Sequence, residues 1–161
     1  VTVLAIDPGY EQSAVVLYDG SRVETHRILP NDELLSHLCH DDDLPETCVI
    51  EQIASYGMPV GAEVFGTVRW SGRFEQAFLM RNRLRNSVAL MPRRDVKLHL
   101  CNSARAKDAN VRQALLDRFG GEKVAKGTKA APGPLYGLKK DEWAALAIAV
   151  TWMDTKCPAA P

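Results

Sequence analysis

Three short strand-like segments occupy the first thirty residues, separated only by tight-turn sequences, and this commits the chain to a sheet that starts antiparallel. Val1 to Ile6 is a largely β-branched run ended by Asp7-Pro8-Gly9, where proline and glycine set the backbone of a turn. Ser13 to Tyr18 reads as a second strand. Asp19-Gly20 then signals a hairpin, because both residue types tolerate the positive φ that two-residue turns require. Arg22 to Leu29 alternates as a third strand. Asn31 is placed to cap a short helix over Asp32 to Cys39, with Leu34, Leu35 and Leu38 inward. Thr47 to Ile50 is a further strand, ending at Glu51. The connection through residues 31–46 is long enough to cross over to a parallel neighbour.

The remainder is mostly helical in pattern. Residues 61–85 place Val64, Val68, Phe74 and Phe78 on an apolar side and the arginines elsewhere. Ser87 to Met91 is the expected fifth strand, and Arg93 to Leu100 is open between helix and strand. Asp108 to Phe119 is a helix stopped by Gly120-Gly121. Residues 120–140 hold five Gly, two Pro and five Lys, and are expected to form a flexible basic loop. Asp141 to Met153 is apolar nearly all round, so this last helix is expected to be buried. At 161 residues the chain suits one domain. The expectation is a single α/β domain over residues 1–161, with a mixed sheet and flanking helices.

Twenty Lys and Arg balance twenty Asp and Glu, which argues against a small, strongly basic nucleic-acid binder. The positions of the charges argue otherwise. Residues 1–66 carry two basic and twelve acidic side chains, whereas residues 67–161 carry eighteen and eight. No apolar run approaches the roughly 18 residues of a membrane span. The opening residues lack the pattern of a signal peptide, so none is expected. The four cysteines form no Cys-x-x-Cys pair, which excludes the usual structural zinc spacing. Cys48, inside an apolar run, is expected to be a buried thiol in a reducing, intracellular setting.

Asp7, Glu51 and Asp141 each stand at the end of an apolar segment rather than on a polar face. Brought together, such acids repel one another, and burial raises their pKa values unless a cation compensates. Magnesium or manganese is the natural partner, since hard cations prefer oxygen ligands. Two such ions about 4 Å apart support phosphodiester hydrolysis. Each acid also has an ordinary reading: Asp7 as a turn residue, Asp141 as a helix cap. Glu51 is harder to dismiss, directly after Cys48-Val49-Ile50 in an expected inner strand.

Taken in order, LAIDPG (Leu4 to Gly9), VIEQ (Val49 to Gln52), PRRDVKLHL (Pro92 to Leu100), AKDANVRQALLDRFG (Ala106 to Gly120) and KKDEWAALAIAV (Lys139 to Val150) resemble the RuvC-type Holliday-junction resolvases. These belong to the ribonuclease H-like superfamily, and the likeness is greatest to the bacteriophage branch. The resemblance implies a ribonuclease H-like mixed five-stranded sheet and metal-dependent cutting of four-way DNA junctions with paired nicks. It implies Asp7, Glu51 and Asp141 as catalytic metal ligands for Mg2+, with Mn2+ as substitute and two ions per site. It further implies a homodimer in the cytoplasm of a bacterium or phage-infected host. The family's fourth acid falls here on Ala144. Glu142 is a neighbour of Asp141 but turned by about 100° around the helix, and Asp108 is the other candidate, with a helix cap as its ordinary role. The family aromatic three residues after the strand-end Glu falls on Ala54, leaving Tyr56 as the nearest replacement. Lys107 lies in the segment whose family lysines contact DNA phosphates.

Phosphate contacts would come from Arg69, Arg73, Arg81, Arg83 and Arg85, then Arg105, Lys107 and Arg112, then Lys123, Lys126 and Lys129. The ordinary alternative is a set of solvated surface charges. Gly66 and Gly72 on helix 61–85 are candidates for close approach at a dimer interface. Competing readings are a ribonuclease H-like nuclease acting on other branched DNA or RNA–DNA hybrid, a non-catalytic junction binder, and a nucleotide-binding fragment using Asp7-Pro8-Gly9.

Overall fold

β1 (Val3–Asp7) determines the layering of the molecule, because its first four side chains are all buried, two on each face. The computed structural model describes residues 1–55 and 57–156. β1 is the middle strand of a five-stranded sheet ordered β3-β2-β1-β4-β5, with β2 (Gln12–Tyr18), β3 (Val23–Pro30), β4 (Thr47–Gln52) and β5 (Ser87–Pro92). β1 to β3 form the antiparallel meander that the turn signals require. β4 and β5 join parallel to β1, each reached through helices.

Period-two alternation then divides the core into two layers. Leu4, Ile6, Cys48 and Ile50 face α1 (Asn31–His40) and α2 (Ala62–Arg81), where Leu34, Leu38, Phe74 and Phe78 close the layer. Val3, Ala5, Val16 and Val49 face the other side. There they meet α3 (Arg93–Cys101), α4 (Asp108–Arg118), α5 (Glu122–Lys126) and α6 (Glu142–Lys156). Leu146, Ile148 and Val150 of α6 are fully buried, and each such side chain contributes about 1.5–3 kcal/mol. Cys48 is buried as expected, and burial pushes its thiol far above its ordinary pKa.

Several expectations change. The ambiguous segment after β5 is helical, and Asn102 ends α3 in the left-handed region at φ 54°. α2 stops at Arg81, because Asn86 folds back to donate its side-chain N–H to the Phe78 carbonyl, 2.7 Å. Val68, expected inward, is exposed. The segment expected to be a flexible loop is anchored: α5 lies within it, and Ala125, Leu135 and Leu138 enter the core. Its glycines serve tight packing rather than freedom. A Cβ on Gly133 would lie 2.2 Å from the Val124 carbonyl oxygen. Gly66 has a similar role, since Tyr10 packs against it and a Cβ there would meet the ring at 2.4 Å. It is therefore filled within the chain, whereas a Cβ at Gly72 would meet nothing within 4 Å.

Candidate active site

The register of β1 and β4 brings the first two acids together. The strands pair Leu4 with Cys48, Ala5 with Val49 and Ile6 with Ile50. One step further, Asp7 and Glu51 project from neighbouring strands on the face covered by α6. Glu51 is only 5% exposed. Asp141 arrives from the helix layer that covers this same face. Lys140, at φ 42°, turns the chain into α6, and the Asp141 carbonyl accepts N–H bonds from Ala144 and Ala145 at 2.9 and 3.0 Å. The helix entry is fixed from inside, because the Trp143 indole N–H donates to the Leu138 carbonyl, 3.2 Å.

The turn after Asp7 is held by a small buried network. Gly9 N–H donates to Ser13 Oγ at 3.1 Å, and the Ser13 hydroxyl donates to Asn31 Oδ1 at 2.6 Å. Asn31 Nδ2 returns to the carbonyls of Gly9 and Tyr10 at 3.0 and 3.2 Å. Asn31 was expected to cap α1; instead it opens the helix and spends its side chain on the turn. A Cβ on Gly9 would lie 2.2 Å from the Gln12 carbonyl oxygen, so glycine is required there.

Burial, above all, pushes the Asp7 carboxyl up to about 8 from its ordinary 3.8. The charges of Glu51 and Asp141 and a hydrogen bond with Glu51 push the same way, while Arg93 opposes them. Asp7 therefore resists ionising beside Glu51 and Asp141. Arg93 Nη1 lies 3.4 Å from Glu51 Oε1, and its Nη2 lies 3.0 Å from Asp108 Oδ1. Burial alone would lower the Arg93 pKa, but Glu51, Asp108 and Asp7 together hold it above the ordinary arginine value. Partial burial would raise Asp108, yet Arg93 and Lys97 hold it below the usual carboxylate range. Glu51, Asp108, Asp141, Arg93, Lys97 and Lys140 border a cleft of about 90 Å³. The donor set, all carboxylate oxygens, suits a hard divalent cation. Among the described residues, however, no three His, Cys, Asp or Glu side chains close around one point. The guanidinium of Arg93 stands between the acids instead.

The other expected residues divide. Asp108 shares the cleft, and it does not cap α4: the Lys107 N–H is taken by Asn110 Oδ1 at 2.9 Å. Glu142 points elsewhere. Its Oε2 accepts the Lys139 N–H at 2.6 Å, and its Oε1 lies 3.0 Å from His26 Nδ1, out of line for a hydrogen bond. The first turn of α6 directs it inward to secure the helix start, so it is not a metal ligand in this geometry. Tyr56 lies outside the described residues.

Arg105 and Lys107 are exposed in and beside the α3–α4 connection, and exposed Arg112 borders the cleft with its guanidinium 4.8 Å from the Trp143 ring centre. Arg69 and Arg73 are exposed on α2, across the sheet, with Arg73 stacked 4.1 Å over Trp70. Lys129 is exposed, and Lys126 pairs with Glu122. Arg81 leaves the expected phosphate-binding set, because its guanidinium donates to the carbonyls of Asp41, Leu44 and Pro45 at 2.9, 3.2 and 3.1 Å. Arg85 is paired with Glu46. Sequence reasoning missed Arg93 and Lys97 at the acids and the Ser13–Asn31 clamp. The available signal for Arg93 was its place directly after β5, at the same end of the parallel strands as Glu51.

No family model matches the sequence, and no curated protein matches it. In fold the chain is similar to solved structures of RuvC from Thermus thermophilus. One aligns with a TM-score of 0.60 at 19% identity, covering 94% of this chain and 92% of the other. Another, in complex with a Holliday junction substrate, aligns with a TM-score of 0.60 at 17% identity over 93% of this chain and 91% of that one. The likeness establishes a RuvC-like, ribonuclease H-like fold: a mixed five-stranded sheet flanked by helices. Among the described residues no helix is long and apolar enough to cross a membrane.

Proposed function

We propose that the chain is a structure-specific endodeoxyribonuclease that resolves four-way DNA junctions by metal-assisted phosphodiester hydrolysis. The observation that carries this reading is the Asp7–Glu51 carboxyl pair on adjacent inner strands, faced by Asp141 at the start of α6, within a RuvC-like fold. Similarity of fold to a protein solved with a Holliday junction substrate supports the substrate class.

Asp7, Glu51 and Asp141 would hold magnesium, with manganese as substitute, and Asp108 lies across the cleft as a further oxygen donor. The bound ions would supply a lowered water pKa and charge neutralisation at the phosphate. The chain's own groups do the rest. Glu51, buried and hydrogen-bonded to Asp7, fixes the position of the inner carboxyl. Lys140 at the rim and Arg112 over Trp143 offer positive charge where a phosphate would enter the cleft. Lys107 and Arg105 extend that charge along the same face, and Lys129 adds to it; Lys126 contributes less while paired with Glu122. Arg69 and Arg73 on the opposite layer suit a second arm of branched DNA better than the strand in the cleft.

Paired cuts follow from a homodimer, since a junction is close to two-fold symmetric. Exposed Phe65 and Val68 on α2, open Gly72, and Leu90 on the edge strand β5 form the apolar surface that supports such a contact. On this reading the chain belongs in the cytoplasm of a bacterium or phage-infected host. One observation favours a non-catalytic junction binder instead: Ala144 lines the cleft where a fourth acid would complete the ligands.

One comparison separates these readings. Wild type and Asp7→Asn are incubated with a four-way junction, a fork and an RNA–DNA hybrid, with magnesium or manganese. Paired nicks in the junction alone, lost in Asp7→Asn with binding retained, are expected. Equal cutting of fork or hybrid would replace the junction assignment, and junction binding without cutting in either metal would establish the non-catalytic reading.

A further inference from the structure

Arg93 is the first residue of α3, and Arg94 follows it. A cation in the first helical turn opposes the helix dipole, so Arg93 is not there for the benefit of its own helix. Its compensation comes from outside. One nitrogen reaches buried Glu51 at 3.4 Å, and the other reaches Asp108, on α4, at 3.0 Å. Lys97, 3.5 Å from the same Asp108 oxygen, shares that second acid but has no ion pair with Glu51. Among the described residues, Arg93 is thus the only Lys or Arg paired with the buried carboxyl pair.

A guanidinium at this distance competes with a divalent ion on Glu51, because it occupies the Oε1 side of that carboxylate and the two positive charges repel. Arg93 nonetheless has somewhere to go. Its side chain is 41% exposed at the edge of the cleft. Its planar fork of donors matches two oxygens of a phosphodiester as well as it matches a carboxylate.

We propose that Arg93 is a built-in counterion, which holds the carboxylates in the metal-free protein and is drawn off Glu51 by a DNA phosphate, so that divalent-ion loading depends on DNA. The proposal rests on the metal-dependent reading above. It makes Arg93 a positioning residue acting through Glu51. Linkage requires the effect to be reciprocal: the ion must also strengthen DNA binding, by releasing Arg93 toward the phosphate.

The test is manganese binding to DNA-free protein, read from the paramagnetic resonance signal of unbound Mn2+, for wild type, Arg93→Gln and Arg93→Lys. Arg93→Gln is expected to bind Mn2+ on the order of tenfold more tightly, the change expected for removing one partly exposed competing charge. Arg93→Lys keeps the charge and should stay near wild type, which a merely structural role for the side chain would not produce. In EDTA, Arg93→Gln should bind a four-way junction several-fold more weakly than wild type, with Arg93→Lys between them. Equal Mn2+ affinity in wild type and Arg93→Gln would overturn the counterion role while leaving the metal reading standing. Absence of Mn2+ binding in all three proteins, both DNA-free and with a four-way junction present, would overturn both. Unchanged junction affinity in EDTA would overturn the transfer of Arg93 to phosphate.

Discussion

Replacing Asp7 by Asn should make the metal-free protein more stable, by an amount that grows with pH. The carboxyl has an ordinary pKa of 3.8, which stands for the unfolded chain, and about 8 in the fold. The folded state therefore binds this proton more tightly. Its contribution to stability is fully present below pH 3.8 and is lost progressively as pH rises through 8. Over about four pH units, at roughly 1.4 kcal/mol each, the ceiling is about 6 kcal/mol. Solvent relaxation around the site and the sharing of charge with Glu51 and Arg93 bring the expected loss nearer 2–3 kcal/mol, on the order of a single strongly placed buried charge. Asn is close in shape to the protonated acid and does not titrate. Urea unfolding in EDTA, followed by tryptophan fluorescence, should show the two proteins within about 0.5 kcal/mol near pH 5 relative to a gap of about 2 kcal/mol in favour of Asp7→Asn at pH 8. Titrating groups remote from Asp7 are common to both proteins and cancel in the difference, so the gap reads Asp7 together with the Glu51 and Arg93 charges it faces. A constant gap across this range, or a wild type that gains on the variant as pH rises, would refute the reasoning.

Other outcomes follow from the same geometry. Asn31→Ala leaves the carbonyls of Gly9 and Tyr10 and the Ser13 hydroxyl without their partner, and should cost about 2–3 kcal/mol in chemical denaturation. Ser13→Ala should cost less, and the double variant less than the combined single losses, because the network is shared. Ala144→Asp adds an acid to the cleft wall; it should tighten Mn2+ binding on the order of tenfold, and calorimetry that shows no change would place the ion elsewhere. Junction affinity should fall steeply with salt, and Lys107→Ala or Arg112→Ala should each flatten the log–log slope by about one.

The central part of the site was legible in the sequence because it follows from strand periodicity. Asp7 closes β1 and Glu51 follows the apolar run of β4, so strand periodicity puts them on one face once the two strands are neighbours, a pairing the sequence left conditional and the parallel register supplies. Burial of α6 was equally plain from its all-round apolar run. The losses came where a charged residue's partner lies far along the chain. Arg93 sits 42 residues from Glu51 and resembles a surface charge at a helix start. Arg81 resembles a phosphate contact until its guanidinium is seen turned toward carbonyls 36 to 40 residues away. Glu142 and Asp141 are adjacent and alike in type, and only the direction imposed by the first turn of α6 separates inward from rim-facing. The segment at 120–140 misled for a different reason: its glycines signal both freedom and close packing, and the buried Leu135 and Leu138 select the second.

The acids that repel most when both are ionised are carried by β1 and β4, the middle of the sheet, where Val3, Ala5, Ile6, Cys48, Val49 and Ile50 are entirely withdrawn from water. Strands in that position are the last to open in local fluctuations, and their amides exchange only when the whole domain unfolds. On an edge strand, a carboxylate pair could relieve its repulsion by fraying for a moment into solvent. Here that escape is closed, because letting the acids apart means dismantling both core layers. The tension at the site is therefore carried by the global folding equilibrium rather than by a local one. A cation reaching these side chains would accordingly slow amide exchange at Leu4 and Ile50, deep in the sheet, as much as it orders the cleft above them.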